Sequence, residues 1–251
     1  GFDWGNKVGT MRWFHQFSPR FVSNTSLIYN DYDYKTSANL DFSFDLKAGV
    51  IGQNVKQRFI WYINNNNTVS FGLEATRYVF KPGNLKMVLP DDNAQSFVAS
   101  QKQGVEAAAY ISNEQKIGSR FTIGYGLRVS GFTRVGKGTE YQFDTKGELA
   151  DSSMYGGGEF YSPYWYIEPR LNTSFIVNEN TSIKAGYNRL SQYIHLLQNA
   201  TSGTPIDLWV PSSPNVKPQL ADQVSLGFFR NFNNHIYQFS AETYYKWMYN
   251  Q

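Results

Sequence analysis

Few residues in this chain are placed to break or make bonds. The three histidines, His15, His195 and His235, fall in separate regions, and no H-E-x-x-H spacing accompanies them. There is no cysteine, so no thiolate metal site and no disulfide framework. Asp91-Asp92-Asn93 offers carboxylates for a calcium ion but lacks the spacing of an EF-hand, and reads as a solvated loop tip. Gly156-Gly157-Gly158 precedes no helix whose dipole could hold a phosphate, so it reads as a loop. No G-x-S-x-G is present. These residues predict no catalytic site, no metal and no cofactor.

Binding chemistry is better represented. Glu168 and Arg170 lie two positions apart, as do the members of other polar runs that include Lys56, Arg58, Glu74, Glu106, Arg120, Arg128, Lys184, Glu242 and Lys246. On a strand, such spacing puts these side chains on one face, where they either pair with one another or meet a solute. Arg189 has the opposite parity to Lys184 and is expected near a strand end. A second group is Trp209, in the proline-containing stretch Gln198–Pro218, with Tyr193 and His195 nearby. Aromatic rings held by prolines make a stiff stacking surface suited to glycans or peptides, or simply pack on neighbouring loops.

The elements that carry these residues are strands. From Tyr164 to Val177, Trp165, Ile167, Pro169, Leu171, Thr173, Phe175 and Val177 alternate with Tyr164, Tyr166, Glu168, Arg170, Asn172 and Ser174. The same alternation runs through Arg120–Ser130, Ile236–Trp247, Val69–Val79, Val105–Ile111 and Leu40–Ile63. About ten strands are predicted, centred near residues 12, 27, 52, 74, 106, 125, 171, 188, 226 and 242. Short polar turns lie at Ser18-Pro19, Asn64–Asn67, Asn113–Ser119, Asn178–Asn180 and Asn231–His235. Longer irregular connections are expected over Asp31–Asn39, Lys81–Ser96, Gly136–Ser162 and Gln198–Pro218.

Composition narrows the class. Aromatic residues make up 17% of the 251 residues and charged residues also 17%, below the ~25% usual in soluble domains. The aromatics argue against disorder. No apolar run is long enough for a membrane helix. A net charge of +3 gives no reason to expect nucleic acid as a partner.

Alternating strands suit a soluble all-β surface module that binds glycan or protein, with its apolar face inward. They also suit a transmembrane barrel, with the apolar face toward lipid. An outer-membrane barrel enzyme is a third reading. Strand length favours the transmembrane barrel. So do the aromatics at strand ends, among them Trp13, Trp61, Trp165 and Trp247, which suit girdles at the two membrane interfaces. The expected fold is all-β: an antiparallel, up-and-down transmembrane β-barrel in the bacterial outer membrane, with Arg120, Arg128, Glu168, Arg170, Lys184, Glu242 and Lys246 facing the lumen.

Residues 164–232 carry a resemblance. Glu168-Pro169-Arg170-Leu171 is followed by Lys184, Tyr187 and Arg189. Pro214, Pro218 and Gln219 then lead into Asp222, Gln223, Ser225, Leu226 and Gly227. This segment resembles the barrel of TonB-dependent receptors of the Bacteroidetes type. The resemblance implies a roughly 22-stranded barrel closed around a plug. It further implies active import of a scarce solute with TonB-supplied energy and no enzymatic step. The implied partners are outer-membrane lipid, the receptor's own plug domain, the TonB complex acting through that plug, and a lipoprotein at the surface. Residues 1–251 are then expected to be a partial barrel without plug or signal peptide. Tyr193, His195 and Trp209 would lie on an extracellular loop.

Overall fold

A computed structural model describes residues 1–39, 43–88, 94–98, 100–144, 146–197, 208–232 and 236–251. Leu40, Phe42, segment 91–93, segment 198–207 and His235 lie outside the described residues.

Ten long strands form one antiparallel path. In that path β1 (Phe2–Ser18), β2 (Phe21–Asn39), β3 (Ser43–Asn64), β4 (Asn67–Val88), β6 (Lys102–Ile117) and β7 (Phe121–Val135) are followed by β10 (Phe160–Asn178), β11 (Thr181–Gln192), β14 (Gln219–Phe232) and β15 (Tyr237–Tyr249). Between them β5 (Ala94–Val98) pairs with the end of β4. Two small hairpins complete the fold: β8 (Gly138–Phe143) with β9 (Leu149–Tyr155), and β12 (Ile194–Leu197) with β13 (Leu208–Pro211). Among the described residues there is no helix, and β1 and β15 end the path without pairing to each other. The expected ten strands are all present, as an up-and-down meander that forms an open portion of a barrel.

Some connections differ from expectation. Asp31–Asn39 is not a loop but the second half of β2, paired with β3 from Asp31↔Ile51 to Asn39↔Ser43. Backbone pairing does not require an apolar face, so the ladder continues where the side chains turn polar. Likewise β4 runs on to Val88, and β6 continues through Asn113 to a turn at residues 118–120. The turn residues are Pro19-Arg20, Asn65-Asn66 and Glu179-Asn180 on one side. There Asn64 and Asn178 each accept a backbone N–H two residues on, through Oδ1, at 2.9 and 3.0 Å.

Cross-strand register decides which residues share a face. Lys56, Glu74, Ala108, Ser130 and Tyr166 form one row across β3, β4, β6, β7 and β10. Arg58, Gly72, Tyr110, Arg128 and Glu168 form the next. Gly72 is required there, because a Cβ would lie 2.2 Å from the Gln57 carbonyl and 2.8 Å from the Tyr110 hydroxyl. The other face carries Val55, Leu73, Ile111, Leu127, Val129, Ile167, Leu171, Leu226, Phe239 and Tyr245, all exposed. A soluble sandwich would bury this apolar face. Here it points outward, and the polar face is the enclosed one.

The sheet curls toward its polar face. The β12–β13 hairpin follows β11, yet β13 contacts β3, β4 and β6, well around the path. Only a wall that bends around the hairpin brings them together.

Outside the curve, aromatic rings run along the short-turn side. Phe17 stacks on Phe21 at 5.2 Å, Phe21 on Phe59 at 5.7 Å, and Phe59 on Phe71 at 5.2 Å. Trp13 and Trp61 are exposed toward this side. Trp165 and Trp247 are exposed toward the long connections, where Tyr245 meets Trp247 edge-on at 4.6 Å.

Candidate functional site

The enclosed face of the wall carries one connected polar network, and Arg128 is its hub. Strand β7 points Arg128 inward between β6 and β10. Its guanidinium lies 3.2 Å from Glu74, 3.8 Å from Glu106 and 3.7 Å from Glu168. Lys56 reaches Glu74 at 3.8 Å, and Arg170 reaches Glu168 at 3.4 Å. Asn54 donates to Glu74 at 3.2 Å and to Thr76 at 2.8 Å. Three carboxylates are thus matched by three cations. A buried charge left unpaired is costly, and a guanidinium fork can serve several acceptors at once.

Glu168 is the most enclosed of these, with its side chain 4% exposed. Its Oε1 accepts from Ser130 at 2.5 Å and from Ser191 at 2.7 Å. The β10–β11 register stops at Arg170↔Asn188, while β11 stays paired with β14 as far as Gln192↔Gln219, and from there Ser191 reaches Glu168.

The chain leads straight from β11 to the β12–β13 hairpin. Tyr193 is 2% exposed; its ring stacks on Phe132 at 5.6 Å and its hydroxyl lies 2.8 Å from Ser130. Burial pushes that hydroxyl's pKa up, while its bonds to Ser130 and Ser191 act to lower it. His195 is buried too, with Nε2 2.8 Å from the Ser212 hydroxyl, which in turn donates to the Tyr193 carbonyl at 3.0 Å. Burial lowers the His195 pKa, so the ring is neutral at neutral pH. Trp209 is half-buried on β13. Its indole N–H is enclosed with no hydrogen-bond partner among the described residues. These three residues sit on a hairpin folded against the wall, two of them fully covered, not on a loop open to solvent.

The remaining inward-facing candidates are dispersed. Register puts Arg170, Asn188, Gln223 and Lys246 in one row, and Ser174, Lys184, Gly227 and Glu242 in another. Lys184 lies 4.7 Å over the Phe229 ring. Arg120 is not on a strand; it closes the 118–120 turn, where its carbonyl accepts from the Ile176 N–H at 2.8 Å. Arg189 faces away from the network. It forks onto Asp222 at 2.8 and 2.7 Å, and Tyr187 donates to the same carboxylate at 2.7 Å.

A second polar knot fixes the β8–β9 hairpin. Arg134 pairs with Glu140 at 3.5 Å and lies 4.8 Å over the Tyr161 ring, which stacks on Tyr155 at 4.1 Å. Ser162, with φ of 53°, donates to the same Glu140 oxygen. Sequence reasoning did not single out Ser130, Ser191, Arg134 or Glu140. Ser130 does sit on the polar parity of its strand, which is the signal that could have found it. Among the described residues no three His, Asp or Glu side chains are grouped to hold a metal ion. Nor is any helix long and apolar enough to cross a membrane.

What the arrangement offers chemically is a rigid, charge-balanced inner wall with amides and hydroxyls between the charges. It can hold a polar body by many hydrogen bonds.

The sequence matches no protein-family model and no curated protein. The fold does match solved structures. The ferric yersiniabactin uptake receptor FyuA of Yersinia pestis superimposes with a TM-score of 0.65 at 14% identity, over 96% of this chain and 35% of that one. The copper transporter OprC gives 0.65 at 12% identity, over 93% of this chain and 38% of that one. The hemophore receptor HasR of Serratia marcescens gives 0.56 at 10% identity, over 98% and 40%. The shared feature is the fold, a long-stranded antiparallel barrel, and this chain spans a little over a third of each of those chains.

Proposed function

We propose that this chain is part of the barrel wall of a TonB-dependent receptor of the Bacteroidetes type, seated in the bacterial outer membrane and importing a scarce solute. The observation that carries this reading is the inverted wall. Large apolar side chains are exposed on the convex face, while Arg128, Glu74, Glu106 and Glu168 are enclosed within the curve. That is the pattern lipid outside and water inside demand. It also counts against the soluble binding module, which needs its apolar face covered.

On this reading the inner charges face a plug domain and the solute passing it, and the TonB complex supplies energy through that plug. A surface lipoprotein and the hairpin bearing Tyr193, His195 and Trp209 would act on the extracellular side. No catalytic step is assigned. The matched receptors named above handle a ferric chelate, copper and a heme-carrying hemophore, so metal complexes head the substrate panel.

Two measurements test the proposal. The intact protein should fractionate with the outer membrane and be monodisperse only in detergent. Cells lacking it should lose growth on one complex in a panel of ferric chelates, heme and copper, and loss of the energy-coupling partner should reproduce the defect. A protein that is monodisperse in plain buffer overturns the membrane placement. Unchanged uptake of every solute overturns the transport role.

A further inference from the structure

The convex face is not uniformly covered by large side chains. One row reads Val55, Ala75, Ala107, Gly131, Trp165 across β3, β4, β6, β7 and β10. The row below it contains Leu73, Ala109 and Val129. The small residues in the middle leave an apolar trough of about 640 Å³, with Val55 and Leu73 on one side and Trp165 on the other.

The row above the trough, two residues up β4 from Ala75, carries a cation. Arg77 pairs with Val105 and Gln53 across the strands and is exposed on the same convex face. Its guanidinium donates to the Gln53 side-chain oxygen at 3.2 Å and to that of Gln103 at 2.8 Å. Both partners are neutral amides; among the described residues no carboxylate lies within ion-pair distance of it. The neighbouring outward charges Lys81 and Asp31, by contrast, neutralise each other at 3.4 Å.

Height agrees with this division. Arg77 lies ten residues above the turn at Asn67. A rise of about 3.3 Å per residue and a tilt near 40° put it about 25 Å above that turn, the height of the apolar band of such barrels. Leu73 and Ala75 then fall about 15–20 Å up, in the outer leaflet's hydrocarbon. An unneutralised guanidinium at the interface, flanked by two amides that each accept one of its N–H groups, keeps further N–H donors and a full charge for a phosphate. An apolar trough running down from it is suited to a hydrocarbon chain.

We infer that the convex face of β3–β10 holds one phosphorylated acyl lipid of the outer leaflet, with its phosphate on Arg77 and an acyl chain in the trough floored by Ala75, Ala107 and Gly131. This inference rests on the outer-membrane placement proposed above. The lipid is a fixed ligand of the wall, distinct from the solute handled by the lumen.

The test uses the intact protein in detergent, titrated with bisphosphorylated lipid A and followed by native mass spectrometry. Bound lipid is expected at one equivalent. Arg77→Gln should weaken binding at least about tenfold, the loss of one charge-assisted hydrogen-bonded contact. Ala107→Leu, which fills the trough without touching Arg77, should weaken it too. Enzymatically dephosphorylated lipid A should bind the unaltered protein no better than bisphosphorylated lipid A binds Arg77→Gln. Binding by either variant as tight as that of the unaltered protein, or no preference for the phosphorylated lipid, overturns the inference while leaving detergent dependence intact. A protein that needs no detergent fails the earlier reading instead.

Discussion

Replacing Leu73 with arginine places one charge in the middle of the exposed apolar face. Leu73 is 63% exposed, so in a soluble protein an arginine there would lose little packing and would change stability by no more than about 0.5 kcal/mol. In a membrane barrel the result is different. Leu73 lies six residues above Asn67 on β4. At about 3.3 Å per residue and a tilt near 40°, that is about 15 Å above the short-turn side, close to the centre of a band about 25 Å tall. A lipid-facing arginine at that depth costs about 2–4 kcal/mol. Val79→Arg, on the same strand and face but about 30 Å up, should cost no more than about 1 kcal/mol. The assay is denaturant unfolding of the intact protein refolded into phospholipid vesicles, with both variants and the unaltered protein side by side. A Leu73→Arg penalty within about 0.5 kcal/mol of the Val79→Arg penalty would refute the argument, because depth would then not matter.

Further outcomes are expected from the inner face. Arg128→Ala leaves Glu74, Glu106 and Glu168 without their shared partner and should cost about 3 kcal/mol in the same assay, with part of that loss recovered by adding Glu168→Gln; no recovery would mean the network is not electrostatically coupled. Tyr193→Phe removes the hydroxyl that meets Ser130 and should loosen the β12–β13 hairpin by about 1 kcal/mol, read as faster amide exchange over Ile194–Leu197 and Leu208–Pro211. The folded pKa of His195 is lowered by burial, so the neutral ring is the form the hairpin stabilises. That stabilisation is fully present above about pH 6.5 and is lost as the pH falls through the lowered folded value, so hairpin exchange should accelerate on acidification and His195→Phe should abolish the acceleration. Gly72→Ala drives a Cβ into the Gln57 carbonyl and should lower folded yield, whereas Gly5→Ala, with open space around it, should not.

How much of this was legible in the sequence follows from the range of each interaction. Strand identity is local: period-2 alternation predicted all ten strands of the path near their observed centres, and Asn-rich turns marked the short-connection side. The upper half of β2 was missed because Asp31, Asp33 and Lys35 break the apolar alternation without breaking the backbone ladder. Parity separated Arg189 from Lys184, and register puts the two on opposite faces. What parity could not supply was partnership. Arg128 meets Glu74 across 54 positions of sequence, and that meeting depends on the register of two strand pairs, β4–β6 and β6–β7. Arg77 is a lone cation in an apolar run until Gln53 and Gln103 are brought to either side of it.

The sequence by itself determined that apolar and polar residues lie on opposite faces of ten antiparallel strands, since each strand's alternation is a property of its own residues. It could not determine which face is enclosed, because a flat alternating sheet is symmetric in that respect. Curvature breaks the symmetry: the wall bends toward Arg128 and Glu168, sets the β12–β13 hairpin inside, and leaves Leu73 and Trp165 outside. The same bend covers Tyr193 and His195, which the sequence places only in a connection. Burial is a property of what lies across the curve, many strands away, and only the tertiary structure brings that within reach.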